Sequence, residues 1–405
     1  MKNHAKSSSN EEKVQPYSIY IHVPFCKQAC SYCDFYFVTR QQLIPDYVEA
    51  LLKDIATSAP GFVEALSATG LLPRLESIYF GGGTPSRLPV ADIERIMQAI
   101  ERHHGTQYLK EVTIETNPDD VNNASYLRAL KNAGITRLSM GIQSFDPDLL
   151  KFMNRAHSSD EARRSLEFIQ QTEFDSYTVD LIYGNPGQTL AQLETDINTF
   201  LSFNPPHISA YALTIEPGTR LGKYAELGRL TEADDSDVAA HMKLVSDMLG
   251  EHGLQRYEVS NFAREGHEAV HNSSYWEHVP YLGIGPGAHA FMLSNVAQRW
   301  ETESDLAAYI RNARSESQPK YNLETLDELA MAEERLMMGL RTRKGVSMSV
   351  LASKYNYIMN ASQLDFIDRL INESSIELQH NDILRLSENG YATADRITLE
   401  IISRH

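Results

Sequence analysis

The sequence predicts an α/β fold: a partial (β/α)6 barrel followed by a smaller C-terminal winged-helix-like α+β domain. Three observations carry this. Strand-like and helix-like stretches alternate six times between residue 17 and about residue 250, which implies a parallel sheet with helical crossovers. A doubly wound sheet satisfies that pattern as well as a barrel does. The barrel is favoured because the unusual residues, three cysteines, three consecutive glycines, Glu115 and Gln143, fall at or just past the C-terminal ends of successive strands. In barrels that rim is where chemistry is assembled. From about residue 325 the texture changes to short helices and a hairpin.

The β-α units follow in order. "YSIYIHV" reads as a strand and, past the cysteine loop, "IPDYVEALLKDIATS" as a helix with apolar residues at helical spacing. "LESIYFGGG" is a strand ending in glycines, followed by the helix "VADIERIMQAIERHH". "EVTIETNP" precedes "SYLRALKNAGI". "RLSMGIQSF" precedes "SSDEARRSLEFIQQT", whose serines and acid suit a helix N-terminus. "SYTVDLIYGNPGQ" precedes "LAQLETDINTFLSF", and "HISAYALTIEPGT" precedes "TEADDSDVAAHMKLVSDMLGEHG". The expected division is a disordered polar lead-in at 1–16, the barrel at 17–250, a connecting region at 251–320 and the C-terminal module at 321–405. In that module "LDELAMAEERLMMGLR", "VSMSVLASKYN" and "QLDFIDRLINES" read as helices, before two strand-like pieces and a closing helix.

The net charge of −17 makes a nucleic acid a poor default partner. A packing role for the winged-helix-like module is therefore preferred to DNA binding. No apolar run is long enough for an integral membrane segment. The start lacks the apolar core of a secretory signal. The three cysteines of the chain are Cys26, Cys30 and Cys33. An odd, clustered set argues against a disulfide framework and for a reducing, cytoplasmic setting.

Cys-x3-Cys-x2-Cys brings three soft sulfur ligands to one centre, which selects zinc or an iron–sulfur cluster. Structural zinc asks for a fourth ligand, and His22 lies back in the strand. An iron–sulfur cube held by three thiolates leaves one iron open for chemistry. With Tyr32 before the last cysteine, the loop resembles the signature of the radical S-adenosylmethionine (SAM) superfamily. The resemblance implies a [4Fe–4S] cluster whose open iron is chelated by SAM, and an electron donor for the cluster.

"YIHVPFC", "YFGGGTPS", "IETNPD", "GIQSF", "NRAH" and "DLIYGNPGQT" together resemble the group that holds oxygen-independent coproporphyrinogen III oxidase and its haem-chaperone relatives. The likeness runs from Tyr17 to the C-terminal module. It implies that Gly82, Gly83 and Thr84 meet the methionine end of SAM, that Tyr20 lies next to the cluster, that the Tyr32 backbone meets adenine, and that Ala212 borders the adenosine. Residue chemistry agrees: glycines let a backbone approach a ligand closely, a carboxylate at Glu115 suits an ammonium or ribose hydroxyls, and Gln143 both donates and accepts. Arg155 offers a planar fork for the SAM carboxylate, and Asp180, in the apolar "VDLIY", requires a ligand or an arginine partner.

Two departures from the oxidase branch point to the chaperone branch: Phe35 stands where a further cysteine follows the third, and the lead-in is short. "HNSSYW" matches a motif of the chaperone branch that is associated with haem. It makes His271, Asn272, Tyr275 and Trp276 the expected haem-binding residues, with His289 as a second candidate ligand. The expected function is haem binding and transfer to an acceptor protein. The alternative is a radical SAM enzyme acting on a porphyrinogen, and a zinc-stabilised binding module is a third class.

Overall fold

Six strands run parallel and in chain order, β1 (Val14–Val23), β2 (Leu72–Gly82), β3 (Glu111–Thr116), β4 (Arg137–Gln143), β5 (Ser176–Tyr183) and β6 (His207–Ala212). The computed structural model describes residues 13–314 and 321–405. The lead-in expected to be disordered therefore lies, up to residue 12, outside the described residues. Val14 already pairs with Leu72, so β1 starts three residues earlier than read from sequence.

The alternate apolar residues that face the crossover helices explain the sheet. Ile19, Ile21 and Val23 on β1, Ile78 and Phe80 on β2, Ile114 on β3, and Leu138, Met140 and Ile142 on β4 are all inaccessible to solvent, as parallel strands covered by crossover helices require. The helices follow the sequence expectation closely. Val90–His104 has the expected bounds. Ser159–Gln170 begins with a capping box between Ser158 and Glu161, which satisfies two otherwise orphaned backbone donors. The first helix is longer than expected, Ile44–Ser67, and passes through Pro60. Asp54 on it is buried and accepts from Ser58 Oγ at 2.6 Å and Tyr309 OH at 2.7 Å, tying the helix to Leu306–Arg314.

Residues 251–320 do more than connect. They supply β7 (Gln255–Arg256) and β8 (Asn261–Ala263) next to β6. Beside β1 they supply β9 (Tyr281–Ile284), β10 (His289–Leu293) and β11 (Ala297–Glu301), to which β12 (Tyr321–Leu326) is added. The result is one twelve-stranded sheet in which β9 is parallel to β1 and β8 antiparallel to β6.

The C-terminal unit is smaller. Helices Glu328–Leu340, Met348–Tyr355 and Ala361–Asn372 pack with a three-stranded antiparallel sheet of β13 (Val346–Ser347), β15 (Ile383–Leu386) and β14 (Ile376–Gln379), closed by Ala394–Ile402. Its core includes Leu336, Leu340, Leu351 and Leu384 and continues onto Phe291 and Ala297 of the large sheet. Among the described residues no helix is long and apolar enough to cross a membrane.

Candidate functional site

The cysteine loop leaves the end of β1 and is closed at its base. Cys26 N–H donates to Val38 O at 2.9 Å and Val38 N–H to Pro24 O at 2.7 Å. Its outer side is held by the turn after the helix Pro147–Phe152: Ser31 N–H donates to Met153 O, Gln28 Nε2 to Asn154 O at 2.8 Å, and Asn154 Nδ2 to Ala29 O at 2.7 Å. These bonds face Cys26, Cys30 and Cys33 into a cavity of about 470 Å³ at the C-terminal rim of the strands. That size falls within the range of small-molecule sites.

Nine further residues expected at the site line the same cavity: Tyr32, Gly82, Gly83, Thr84, Glu115, Gln143, Arg155, Asp180 and Ala212. Tyr20 does not line it. Its ring stacks on Tyr79 at 6.1 Å and its hydroxyl meets His22 Nδ1 at 3.2 Å, one layer below the rim.

The glycine turn is a close approach of two backbones. Gly82 has a φ of +109°, a conformation that disfavours any side chain. A Cβ on Gly83 would stand 2.8 Å from Pro24 C and 3.0 Å from Phe25 N, so this residue permits β2 to meet the root of the cysteine loop. Gln143 also holds a positive φ, +74°, beside a register shift between β4 and β5. Such strain persists only where the surroundings enforce it.

Arg155 is half-buried and lies against the thiols. Nη1 donates to Cys30 Sγ at 3.2 Å, and Nη2 to Asn117 Oδ1 at 2.7 Å and to Gly141 O. The fork expected to meet a SAM carboxylate is thus spent largely on protein acceptors, while its Nε is buried without a partner. Thr84 Oγ1 donates to Cys26 Sγ at 3.7 Å and accepts from Asn117 Nδ2 at 3.1 Å. Asn117 therefore links Arg155 to Thr84. It was not singled out from sequence, although it stands within "IETNPD", directly past the strand that ends beside Glu115.

The opposite wall is acidic. Glu115 accepts from Tyr79 OH at 2.8 Å and from Gly82 N–H at 3.1 Å, and burial pushes its carboxyl up to about 8. Asp180 is pushed up by burial to about 7, against the pull of Arg155 and a hydrogen bond from Ser209. Burial also raises the Cys26 thiol, to about 11, and that of Cys33. A ligand or metal that carries positive charge would reverse these shifts.

The residues fit the implied groups. Thiols that accept N–H or O–H bonds suit iron–sulfur ligation. A glycine turn, an orphaned Arg155 Nε and two buried carboxyls suit a ligand carrying both ammonium and carboxylate. Among the described residues no three His, Cys, Asp or Glu side chains gather closely enough to share one ion. A cube asks instead for one thiolate per iron.

The "HNSSYW" residues lie elsewhere, on the helix Val270–Trp276. Its N-terminus has no side-chain cap of its own. Glu111 supplies one, accepting from Val270 N–H at 2.9 Å and His271 N–H at 3.0 Å. His271 is wholly buried, with Nδ1 bonded to Ser77 Oγ at 3.0 Å and Nε2 to Tyr275 OH at 2.8 Å. Both ring nitrogens therefore have protein partners in this structure. Burial also holds the imidazole down at about 3. Asn272 and Arg137 line a small polar cavity of about 70 Å³ that adjoins the cluster cavity, sharing Glu115 and Asp180 with it. Trp276 is half-buried and its carbonyl accepts from Arg335. His289, by contrast, is exposed at the start of β10.

A profile of the Radical SAM superfamily matches residues 20–200. Among curated proteins, the chain is 36% identical to "Heme chaperone HemW" of Bacillus subtilis over 341 residues, 84% of this chain and 86% of that one. It is 31% identical to the protein of the same name from Lactococcus lactis, over 95% of this chain and 96% of that one. It is 32% identical to "Radical S-adenosyl methionine domain-containing protein 1, mitochondrial" of Danio rerio, over 82% and 74%. In fold it matches the Escherichia coli coproporphyrinogen III oxidase HemN with a TM-score of 0.80 at 19% identity, covering 96% of this chain and 91% of that one.

Proposed function

The chain belongs to the HemW haem-chaperone family of radical SAM proteins, and from that premise we propose that it binds haem, carries a SAM-chelated [4Fe–4S] cluster and passes haem to an acceptor protein. The observation that carries the cofactor part is the convergence of Cys26, Cys30 and Cys33 with the Gly82–Gly83 turn and the Glu115–Asp180 wall on one cavity. The haem part rests on the relatives' name.

Cys26, Cys30 and Cys33 would hold the cluster and leave one iron open to a small-molecule ligand. When bound, the cluster and SAM supply one-electron chemistry, while the protein supplies position and shielding. Arg155 orients Cys30 and damps the charge of its sulfur. Gly82 and Gly83 offer backbone to the ligand's methionine end, and Thr84 braces Cys26. Glu115 and Asp180 would accept from an ammonium or ribose hydroxyls, and a bound cation would favour their ionised forms. Gln143, the Tyr32 backbone and Ala212 border the remainder, with Tyr20 supporting the layer below. The division into a barrel at 17–250, a connecting region at 251–320 and a C-terminal module at 321–405 belongs to the same proposal, as do an electron donor and a cytoplasmic setting.

The experiment is anaerobic reconstitution, with iron and sulfide counted, followed by titration with SAM and then haem. About four irons per chain and stoichiometric haem are expected. Decarboxylation of coproporphyrinogen by the reconstituted protein would favour the porphyrinogen-enzyme reading instead.

A further inference from the structure

We propose that haem binds on the rim beside the cluster loop, with His289 as iron ligand and Phe35 and Phe37 against the porphyrin face. This rests on the haem-chaperone reading above and assigns that cargo a place.

An axial ligand needs an imidazole nitrogen that iron can reach. His271 and His22 do not offer one. His271 spends both nitrogens on Ser77 and Tyr275. His22 spends both on Tyr20 OH and Tyr36 O. His289 is different: its side chain is 71% exposed. It opens β10 just past the end of β9, and it is close enough to His22 to oppose charge there. His22 is the next-to-last residue of β1, immediately before the cysteine loop, so His289 stands at the cluster end of the sheet.

The apolar partner is adjacent. Phe35 is 70% exposed, two residues past Cys33, and with Phe37 it lines the mouth of the cluster cavity. Tyr36 between them fixes this stretch against the turn that leads into His289. Its hydroxyl accepts from Leu306 N–H at 2.9 Å, its carbonyl meets His22 Nε2 at 3.2 Å, and its Cβ would lie 3.9 Å from a Cβ on Gly287. An exposed phenylalanine held by an ordered neighbour is surface that a flat apolar ligand can cover.

Glu301 completes the ligand. Its Oε2 lies 3.6 Å from His289 Nε2. A ring flip puts Nδ1–H on that carboxylate and leaves Nε2 for iron, and a carboxylate partner raises the basicity of a ligating imidazole. Arg40, near Tyr36, is the cation available to a propionate. Asp34, Glu303 and Asp305 nearby disfavour one, which suits cargo that must leave. An open rim site releases a porphyrin without opening a core.

The test is titration of the full-length, cluster-reconstituted protein with haemin, read by the Soret band and by electron paramagnetic resonance. His289→Ala should weaken binding about tenfold or more and abolish the imidazole signature. His289→Met should restore binding with a thioether spectrum. Phe35→Ser should weaken haemin and metal-free protoporphyrin alike, whereas His289→Ala should leave metal-free protoporphyrin unchanged. A wild type that binds no haemin would sink the chaperone reading itself. A wild type that binds, with His289→Ala giving the same spectrum and affinity, overturns only this site.

Discussion

Arg155 places a guanidinium hydrogen on Cys30 Sγ at 3.2 Å while the same fork bonds Asn117 and the Gly141 carbonyl. The end of β4 is thereby wired to one of the three sulfurs. A lysine has one compact ammonium and cannot span three acceptors from a fixed plane. Arg155→Lys should therefore retain the cluster about tenfold less well, the scale at which outer partners of metal ligands act, and should shift its reduction potential, because an N–H···S bond is lost. Iron and sulfide counts with a potentiometric titration check this. Unchanged content and potential would contradict the role.

Gly83→Ala tests the close approach at the glycine turn. The added methyl would press on the backbone of Pro24 and Phe25 at 2.8 and 3.0 Å, and neither can move without shifting Cys26. Iron content after reconstitution should fall and thermal stability should drop by about 1–3 kcal/mol, the usual cost of overpacking. Gly61→Ala is the control. It sits in helix Ile44–Ser67 with nothing within 4 Å of a new Cβ, and it should stabilise by about 0.5–1 kcal/mol.

Much of this arrangement was legible in the sequence, for a physical reason. Long apolar strands followed by amphipathic helices announce themselves, and residues past a parallel strand's C-terminus share a rim wherever the strand sits. Cys26, Gly83, Glu115 and Gln143 could thus be grouped before any contact was known, whereas Asp180, inside β5, could not. β7 to β11 could not, because strands of two to five residues carry too little alternation to read. Pro60 concealed the second half of its helix, since proline ordinarily ends one. Asn117 acts through partners 33 and 38 residues away, a pairing that only the folded rim creates. The surroundings of His271 were not legible either: only the fold shows it wholly buried, with both ring nitrogens bonded to Ser77 and Tyr275.

Glu115 carries a pH dependence whose sign follows from burial. Its carboxyl rises from 4.5 to about 8 in the fold, so the folded state keeps a proton that the unfolded chain gives up. The stability linked to that proton is full below about pH 4.5, declines as pH rises and is gone above about pH 8. Asp180 adds a decline in the same direction, ending near pH 7. Glu115→Gln removes the first contribution but not the second. In cluster-free protein, its melting temperature should fall less than wild type between pH 5 and 8 and lie above it at pH 8. Parallel curves would mean that Glu115 ionises freely.

His271→Ala separates a structural imidazole from an iron ligand. The substitution empties a fully buried position, takes the 2.8 Å partner from Tyr275 OH and leaves Ser77 Oγ with its bond to Ser18 Oγ alone. Cavity and lost hydrogen bonds together should cost about 2–4 kcal/mol, visible as a lower melting temperature. Tyr275→Phe removes only the hydroxyl and should cost about 1 kcal/mol. Haemin affinity measured below the lowered melting point should stay at the wild-type value in both variants, because this helix caps onto Glu111 inside the sheet and presents no nitrogen to the rim. A haem-free spectrum from a His271→Ala protein that still melts cooperatively would return the ligand role to His271.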